Sequence, residues 1–250
     1  YGSGSRERGR AAFGLPRNAE VIGHLGRVSQ EKNLDFLIDA MIRVMQARPA
    51  SRLLLVGDGD RLAAAIARFQ EHSLGDRLVT PGLLAGTEIA DAYAAMDVFV
   101  FASRTDTQGL VLAEAMAAGV AIVALDAPGA RDCVVDGETG LLLHQNADEA
   151  TFANAVGLLL QDRDRLLALA QQARRAASKF GRTECMQRHL EVYESVIERY
   201  SPEEGATGDR WEQLAERFDV DLVPFWEKLS TAFWAFSAPS QTQPTSHRLE

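Results

Sequence analysis

Short apolar runs alternate with amphipathic stretches along the first 200 residues of the chain. Six runs have the length of buried strands, and glycine or proline closes several of them. They cover residues 20–26, 51–56, 77–82, 97–101, 121–125 and 140–143. Helical patterns separate the runs, and three more follow over 147–161, 162–178 and 182–200. This alternation predicts an α/β fold: a doubly wound parallel sheet of about six strands with C-terminal helices.

Composition divides the chain into four segments. Residues 1–18 are rich in glycine, serine and arginine, and they predict a linker with a partial helix. Residues 19–180 carry the sheet, and 181–200 a C-terminal helix of the same domain. Residues 201–250 hold all three tryptophans and predict an aromatic-rich helical extension with a flexible tail. Its apolar stripe could pack on the domain, on a partner subunit or absent domain, or on a membrane surface.

The most unusual segment follows the fourth apolar run. A polar loop leads through Asp106 and Gly109 into a helical pattern that is apolar almost all round until Gly119. Thr107 is the predicted N-cap. Glu114 is the only charge in the pattern, and a buried carboxylate requires hydrogen-bond donors. Because first-turn N–H groups favour an anion, a ligand with a central phosphate and hydroxyls at both ends suits this layout.

Two cations follow the first apolar run. Arg27 and Lys32 lie five residues apart in a loop between strand and helix, where they could neutralise a diphosphate. The alternative is a solvated loop with an exposed pair. His24 lies near the end of the run, and we interpret it as a core or loop residue, as a lone histidine there usually is. The histidines show no metal spacing with each other or with cysteine.

The motif after the second run has three interpretations. Gly57 and Gly59 could be half of a dinucleotide fingerprint, although Leu62 occupies the third glycine position. Asp58, Gly59 and Asp60 also resemble an Asp-x-Asp metal clamp. The third interpretation is a tight turn in which Asp58 or Asp60 caps the following helix, and we favour this one.

These motifs together resemble those of retaining glycosyltransferases with two facing Rossmann-like domains, the GT-B architecture of group 1 or family 4 type. The resemblance covers residues 19 to about 200 and the C-terminal, donor-binding half. Asp106 and Glu114 are similar to the family's paired acids, of which the first holds the donor sugar and the second the ribose. Arg27 and Lys32 are similar to the pair that grips the diphosphate. The family usually has glutamate at the first acid, so Asp106 is shorter by about 1.5 Å.

The resemblance implies a Rossmann-like domain and a set of site residues. The catalytic candidates are Arg27, Lys32, Asp106 and Glu114. The substrate-binding candidates are Gly26, Gln108, Gly109, Leu110 and Val111, with Gly82, Leu83 and Leu84 at the nucleobase. It implies no metal and no cofactor, and the donor substrate is a UDP-, GDP- or ADP-sugar.

The implied activity is transfer of a hexose from that donor to a hydroxyl of a glycan or lipid acceptor. Only one sheet is predicted, so we expect the N-terminal acceptor domain to be missing and the enzyme to be incomplete in this chain. Two alternatives remain open. One is a nucleotide-sugar epimerase or phosphorylase on the same scaffold. The other is a non-catalytic nucleotide-binding or assembly module. Separately, the aromatic tail is a candidate surface for forming an oligomer.

The net charge and the cysteine content limit which partners and which cellular compartment this chain suits. Lysine and arginine number 26 against 35 acidic residues, a net charge of −9. This excess argues against nucleic acid as a partner and against a basic patch on anionic lipid. Two cysteines fit a reducing compartment, and no signal peptide or run of membrane-span length is visible. We therefore expect a cytoplasmic location and leave a peripheral position at a membrane open.

Overall fold

The structure of the protein is a computed structural model that describes residues 2–200. The chain divides into two compact units, Tyr1–Arg188 and His189–Glu250. The first unit contains the sheet with its covering helices. Of the second, the described part is 189–200, which belongs to the last helix. The aromatic extension predicted for 201–250 lies outside the described residues.

Six parallel strands form one sheet, as the apolar runs predicted. They are β1 (Glu20–Leu25), β2 (Ser51–Val56), β3 (Leu78–Gly82), β4 (Val98–Phe101), β5 (Ala121–Leu125) and β6 (Leu141–Leu143). Their order across the sheet is β3-β2-β1-β4-β5-β6. The described helices are α1 (Arg6–Ala12), α2 (Leu34–Ala47), α3 (Leu62–Glu71), α4 (Thr87–Ala95), α5 (Leu110–Ala118), α6 (Pro128–Cys133), α7 (Glu149–Gln161), α8 (Arg163–Ala176) and α9 (Arg182–Tyr200).

The core has two layers, one on each face of the sheet. Side chains alternate along each strand, so Val98 and Val100 join one buried cluster while Phe99 and Phe101 join the other. The first cluster includes side chains of α2 and α7, and the second those of α4 and α5. Burial on both faces explains why the strands are continuously apolar, as is usual for parallel sheets. The Rossmann-like fold class is confirmed.

A buried ion pair joins α1 to the sheet. The Asp97 carboxylate, just before β4, accepts hydrogen bonds from Arg10 Nη2 at 2.8 Å and from the backbone N–H of Val21 at 2.8 Å. The Arg10 and Asp97 side chains are only 4% and 3% exposed. Arg6 and Arg163 also pair with Asp97. The rest of the Arg10 guanidinium donates to four backbone carbonyls, at residues 16, 17, 19 and 95.

The strand order reverses between β1 and β4. These strands pair with each other, although two strands lie between them in sequence. The loops after their carboxyl ends therefore start side by side and lead to opposite halves of the sheet. In open α/β sheets, ligands bind in the crevice at such a switch point.

Candidate functional site

The two loops at the switch point contact each other through three hydrogen bonds. Lys32 Nζ donates to Asp106 Oδ2 at 2.9 Å, and these side chains are 23% and 20% exposed. Asn33 Nδ2 donates to the carbonyl of Ala102 at 3.1 Å. Thr105 Oγ1 donates to the carbonyl of Glu31 at 3.1 Å. The strand order thus brings together a predicted cation and a predicted acid that lie 74 residues apart in sequence.

The Asp106 carboxylate also holds the start of α5. Its Oδ1 accepts from the backbone N–H of Gly109 at 2.7 Å and of Gln108 at 3.1 Å. Burial is the largest influence on the pKa of Asp106 and raises it, but hydrogen bonds from Gly109, Lys32 and Gln108 together lower the pKa below its usual range. The predicted N-cap at Thr107 is wrong, because the helix begins at Leu110 and Gly109 is its N-cap.

Helix α6 packs against the same loop. The backbone N–H of Gly129 donates to the Asp106 carbonyl at 2.9 Å. Gly109 has a left-handed φ of 61°, and a Cβ there would lie 2.3 Å from the Gly129 carbonyl oxygen. Cys133 Sγ lies 3.6 Å from the Gly109 carbonyl oxygen, and burial raises the pKa of this thiol to about 11. Only glycine therefore fits at the N-cap, and the thiol beside it stays protonated.

Glu114 has a partner that the sequence analysis did not identify. The Tyr93 hydroxyl, on α4, donates to Glu114 Oε2 at 2.8 Å and lies 3.3 Å from the Val111 carbonyl. The sequence feature that could have indicated this partner is a tyrosine on the preceding helix, because a buried tyrosine usually finds a hydrogen-bond partner for its hydroxyl. Glu114 and Val111 are half-buried, and Leu110 is 63% exposed. The interpretation as a short buried helix holds for the side of α5 that packs on the core, but not for its exposed first residue, Leu110.

The Gly26–Arg27 turn lies against the neighbouring β2 loop. The Gly26 N–H donates to the Val56 carbonyl at 3.0 Å. A Cβ on Gly57 would lie 1.9 Å from the Gly26 carbonyl oxygen, so a side chain there would displace the turn. Arg27 is exposed, and within residues 2–200 its side chain makes no ion pair. Its guanidinium is accessible to an anion.

Comparison with known proteins decides the family. Residues 19–162 match the profile of the family described as "Glycosyl transferases group 1". This chain belongs to the group 1 glycosyltransferase family. The resemblance to the GT-B architecture is confirmed with it.

Two curated relatives and one solved structure show the extent of the similarity. The chain is 33% identical over 207 residues to D-inositol 3-phosphate glycosyltransferase 1 of Catenulispora acidiphila, covering 78% of this chain and 49% of that protein. It is 35% identical over 158 residues to the GDP-mannose-dependent alpha-mannosyltransferase of Mycobacterium tuberculosis, covering 63% and 39%. The crystal structure of Anabaena Alr3699/HepE in complex with UDP superimposes with a TM-score of 0.67 and 27% identity, covering 77% and 52%. The chain thus spans about half the length of these proteins or less.

The predicted nucleobase segment of this glycosyltransferase lies farther along the sheet edge. Gly82 ends β3, and its carbonyl accepts from the Gly57 N–H at 2.9 Å. Leu83 is 79% exposed, and Leu84 packs partly on the core. Since β2 separates β3 from β1, these residues lie two strands away from Gly26.

His24 is a neutral core residue of the glycosyltransferase. Its Nδ1 lies 3.0 Å from the Val100 carbonyl oxygen, so Nδ1 carries the hydrogen. The ring lies near those of Phe99 and Phe101, with centroids 6.1 and 6.5 Å away. Burial is the main cause that lowers its pKa to about 4, so the imidazole is uncharged at neutral pH.

The Asp58–Asp60 segment forms a turn, but neither acid caps α3. Asp58 Oδ1 accepts from the Gly59 N–H at 2.7 Å, and α3 starts after Arg61 without a side-chain cap. The capping part of the prediction is wrong, because the acids lie too far ahead of Leu62. Within residues 2–200, no three His, Cys, Asp or Glu side chains form a group that could hold a metal ion.

None of the helices between residues 2 and 200 combines the length and the apolar character that crossing a membrane requires.

Proposed function

We propose that this chain is the donor-binding half of a retaining glycosyltransferase that moves a sugar from a nucleoside-diphosphate sugar to an acceptor hydroxyl. One observation carries the proposal: Lys32, Asp106 and the start of α5 meet at the switch point of the sheet. The exposed Arg27 lies in the same loop as Lys32. Two cations and a helix N-terminus next to the crevice suit a diphosphate.

The ligand would extend along α5. Arg27, Lys32 and the N–H groups of the first helical turn would contact the diphosphate and stabilise the charge that develops on it as the sugar leaves. Glu114 lies five residues beyond Gly109, about 7.5 Å along the helix axis, a distance that suits the ribose. The Tyr93 hydroxyl donates a hydrogen bond to Glu114 Oε2, whereas Oε1 has no hydrogen-bond partner within residues 2–200. Oε1 is therefore available to a ribose hydroxyl.

The nucleobase would lie along the carboxyl edge of β2 and β3. Gly82, Leu83 and Leu84 follow β3, and the exposed Leu83 offers an apolar surface for a base. Similar proteins differ in the nucleotide that their names contain, since one is GDP-mannose-dependent and another is in complex with UDP. We propose a UDP-, GDP- or ADP-sugar as the donor of this chain.

The acceptor would bind outside this chain. Because the chain spans about half of its curated relatives, we propose that a separate N-terminal domain supplies a glycan or lipid hydroxyl. The hydroxyl attacks on the face from which the diphosphate departs, through an oxocarbenium-like state, so that the configuration is retained. We propose that this reaction takes place in the cytoplasm.

Nucleoside diphosphates should bind this chain without a metal ion. The positive charge comes from Arg27, Lys32 and the start of α5, so titration calorimetry with UDP, GDP and ADP should give the same affinity with and without EDTA.

Glu114→Gln should weaken binding by roughly 10- to 150-fold, the range for a hydrogen bond to a charged group. Glu71→Gln, an exposed acid at the end of α3, is the matched control.

Two results would count against this assignment. Affinity that collapses on chelation would indicate that Asp58 and Asp60 hold a metal with the diphosphate. Binding that is equally tight in wild type and Glu114→Gln would place the ribose elsewhere. The absence of measurable binding by all three nucleotides would contradict the proposed function itself.

A further inference from the structure

One exposed face of α8 carries a row of polar side chains that take no part in the crevice at the switch point. Their spacing is seven, three and four residues, which places them on one side of a helix. The row consists of Arg165, Gln172, Arg175 and Lys179, the last just past the end of α8. Three of the four are cations, in a chain whose net charge is −9. This local excess of positive charge is opposite in sign to the chain as a whole.

The three cations are not neutralised by the protein. Within residues 2–200, Arg165, Arg175 and Lys179 make no ion pair with a carboxylate. Arg163, on the same helix, does have such a partner in Asp97. The charge of the row is therefore available to an external anion.

The dipole of α8 accounts for only part of this row. Cations stabilise the carboxyl end of a helix, and Arg175 and Lys179 lie there. Arg165 lies in the first turn instead, where the dipole disfavours a cation. An anion shared with the other cations of the row would explain its position.

A cavity of about 580 Å³ separates this row from residues 135–139, the loop that leads into β6. Val135, Ala168 and Leu169 give the cavity an apolar part, and the cations give it a charged part. Pockets for small molecules have volumes of about 300–1,000 Å³ and combine an apolar lining with a few polar groups. Because the loop precedes β6 in a parallel sheet, the cavity lies at the opposite edge of the sheet from the crevice.

The loop that forms the second wall of the cavity is held in one shape. Thr139 is buried, and its Oγ1 accepts from the Val135 N–H at 2.8 Å. The Gly137 N–H donates to the Gly140 carbonyl at 2.8 Å. A wall that is already ordered does not have to be fixed when a ligand binds, which lowers the entropic cost of binding.

The charges that line the cavity favour an anion. Glu138 is the only acid among the described residues around it, against the three cations of the row. The lining therefore has a net charge of +2, the sum of three positive groups and one negative group. Phosphate groups are the ligands that arginine recognises best, through paired N–H donors.

We propose that this cavity binds a phosphorylated small molecule, with Arg165 at one end and Arg175 and Lys179 at the other. Arg165 and Arg175 are ten residues apart, or about 15 Å along the helix axis, and both side chains are long enough to reach inward. Gln172 lies between them and can donate its amide N–H to the same ligand. A molecule with two phosphate groups and a neutral centre, such as a sugar bisphosphate, suits this arrangement. The inference does not depend on the proposed function, because the cavity and the crevice lie at opposite edges of the sheet.

Titration of the ¹⁵N-labelled chain with fructose 1,6-bisphosphate, followed by amide correlation spectra, locates the site directly. Saturable shifts should appear in residues 135–139 and 165–179. Fructose 6-phosphate should bind the same residues about tenfold more weakly or worse, since it loses a hydrogen-bonded contact between charged groups. Vesicles of phosphatidylcholine with and without phosphatidylserine test whether the phosphate belongs to a lipid instead, and neither should bind the chain.

Exposed variants test the residues of the row without threatening the fold. Arg165→Gln and Arg175→Gln should each weaken the bisphosphate about tenfold or more. Arg174→Gln is the matched control, because a Cβ on Gly119 would lie 3.4 Å from Arg174 Cδ and this side chain therefore lies on another side of α8. Glu138→Gln should tighten binding, because it removes the negative charge from the lining.

Four outcomes would overturn the inference. They are the absence of saturable shifts, shifts confined to residues 26–33 and 106–114 of the crevice, a loss in Arg174→Gln as large as that in Arg175→Gln, and binding to phosphatidylserine vesicles without a response to the soluble phosphates. Failure of the proposed function has a different signature, in which UDP, GDP and ADP do not bind the crevice.

Discussion

Replacing Asp97 by alanine is expected to lower the free energy of unfolding by about 3–5 kcal/mol, the usual cost of removing one partner from a buried ion pair. The Arg10 guanidinium would remain at a site where its side chain is 4% exposed, without its carboxylate. The Val21 N–H, which now donates to Asp97 at 2.8 Å, would lose its acceptor. Arg6 and Arg163 would lose the same partner, so α1 and α8 would both be held less tightly.

Thermal and urea unfolding followed by far-ultraviolet circular dichroism would measure this loss. For a chain of 150–250 residues, the expected change corresponds to a fall in Tm of roughly 6–20 °C. Arg10→Ala should have a comparable effect, and the double variant should cost less than the sum, because the two side chains form one unit. Asp76→Ala is an exposed control that should change stability by less than about 0.5 kcal/mol. A loss below about 1 kcal/mol for Asp97→Ala would show that the N-terminal segment contributes little to the fold.

The second large effect concerns sugar transfer. Residues 1–250 alone should bind a donor but transfer its sugar more slowly than a chain joined to an acceptor-binding half. The expected difference in rate is a factor on the order of 10⁵ or more. Holding two reactants in productive geometry supplies effective molarities of about 10⁵–10⁸ M, and nothing proposed for this chain holds the acceptor. Fusing ahead of Tyr1 the part of a full-length relative that this chain does not match should restore acceptor-dependent transfer.

The fusion has a direct control. Glu114→Gln in the fused protein should reduce transfer again, which separates turnover at this site from background activity. Efficient acceptor-dependent transfer by residues 1–250 alone would contradict the proposed division of labour. Release or epimerisation of the donor sugar without an added acceptor would instead favour a phosphorylase or an epimerase on the same scaffold.

Periodicity predicted the sheet well, because its strands are short, buried on both faces and closed by turn residues. Every predicted strand is present, with bounds that differ by at most one residue. The buried role of Arg10 was not visible, because an arginine in a segment rich in glycine and serine is expected to be exposed. Its burial depends on Asp97, a partner 87 residues away.

The candidate site was predicted residue by residue but not in its contacts. The Lys32–Asp106 pair exists because β1 and β4 are neighbours, and strand order is not encoded in local periodicity. Thr107 is a residue type that often caps helices, so the local sequence favoured it. The Gly129 N–H instead holds the Asp106 carbonyl, and α5 begins later, with Gly109 as its N-cap. Such features depend on contacts between residues that are distant in sequence, so local sequence patterns do not reveal them.

A crystal structure of this chain with an intact nucleoside-diphosphate sugar tests the central claim most directly. The account predicts the diphosphate between Arg27, Lys32 and the first N–H groups of α5, with a ribose hydroxyl within hydrogen-bond distance of Glu114. The sugar should extend away from α5 toward the open crevice. A ligand bound at any other edge of the sheet, or one whose diphosphate contacts neither Arg27 nor Lys32, would contradict it.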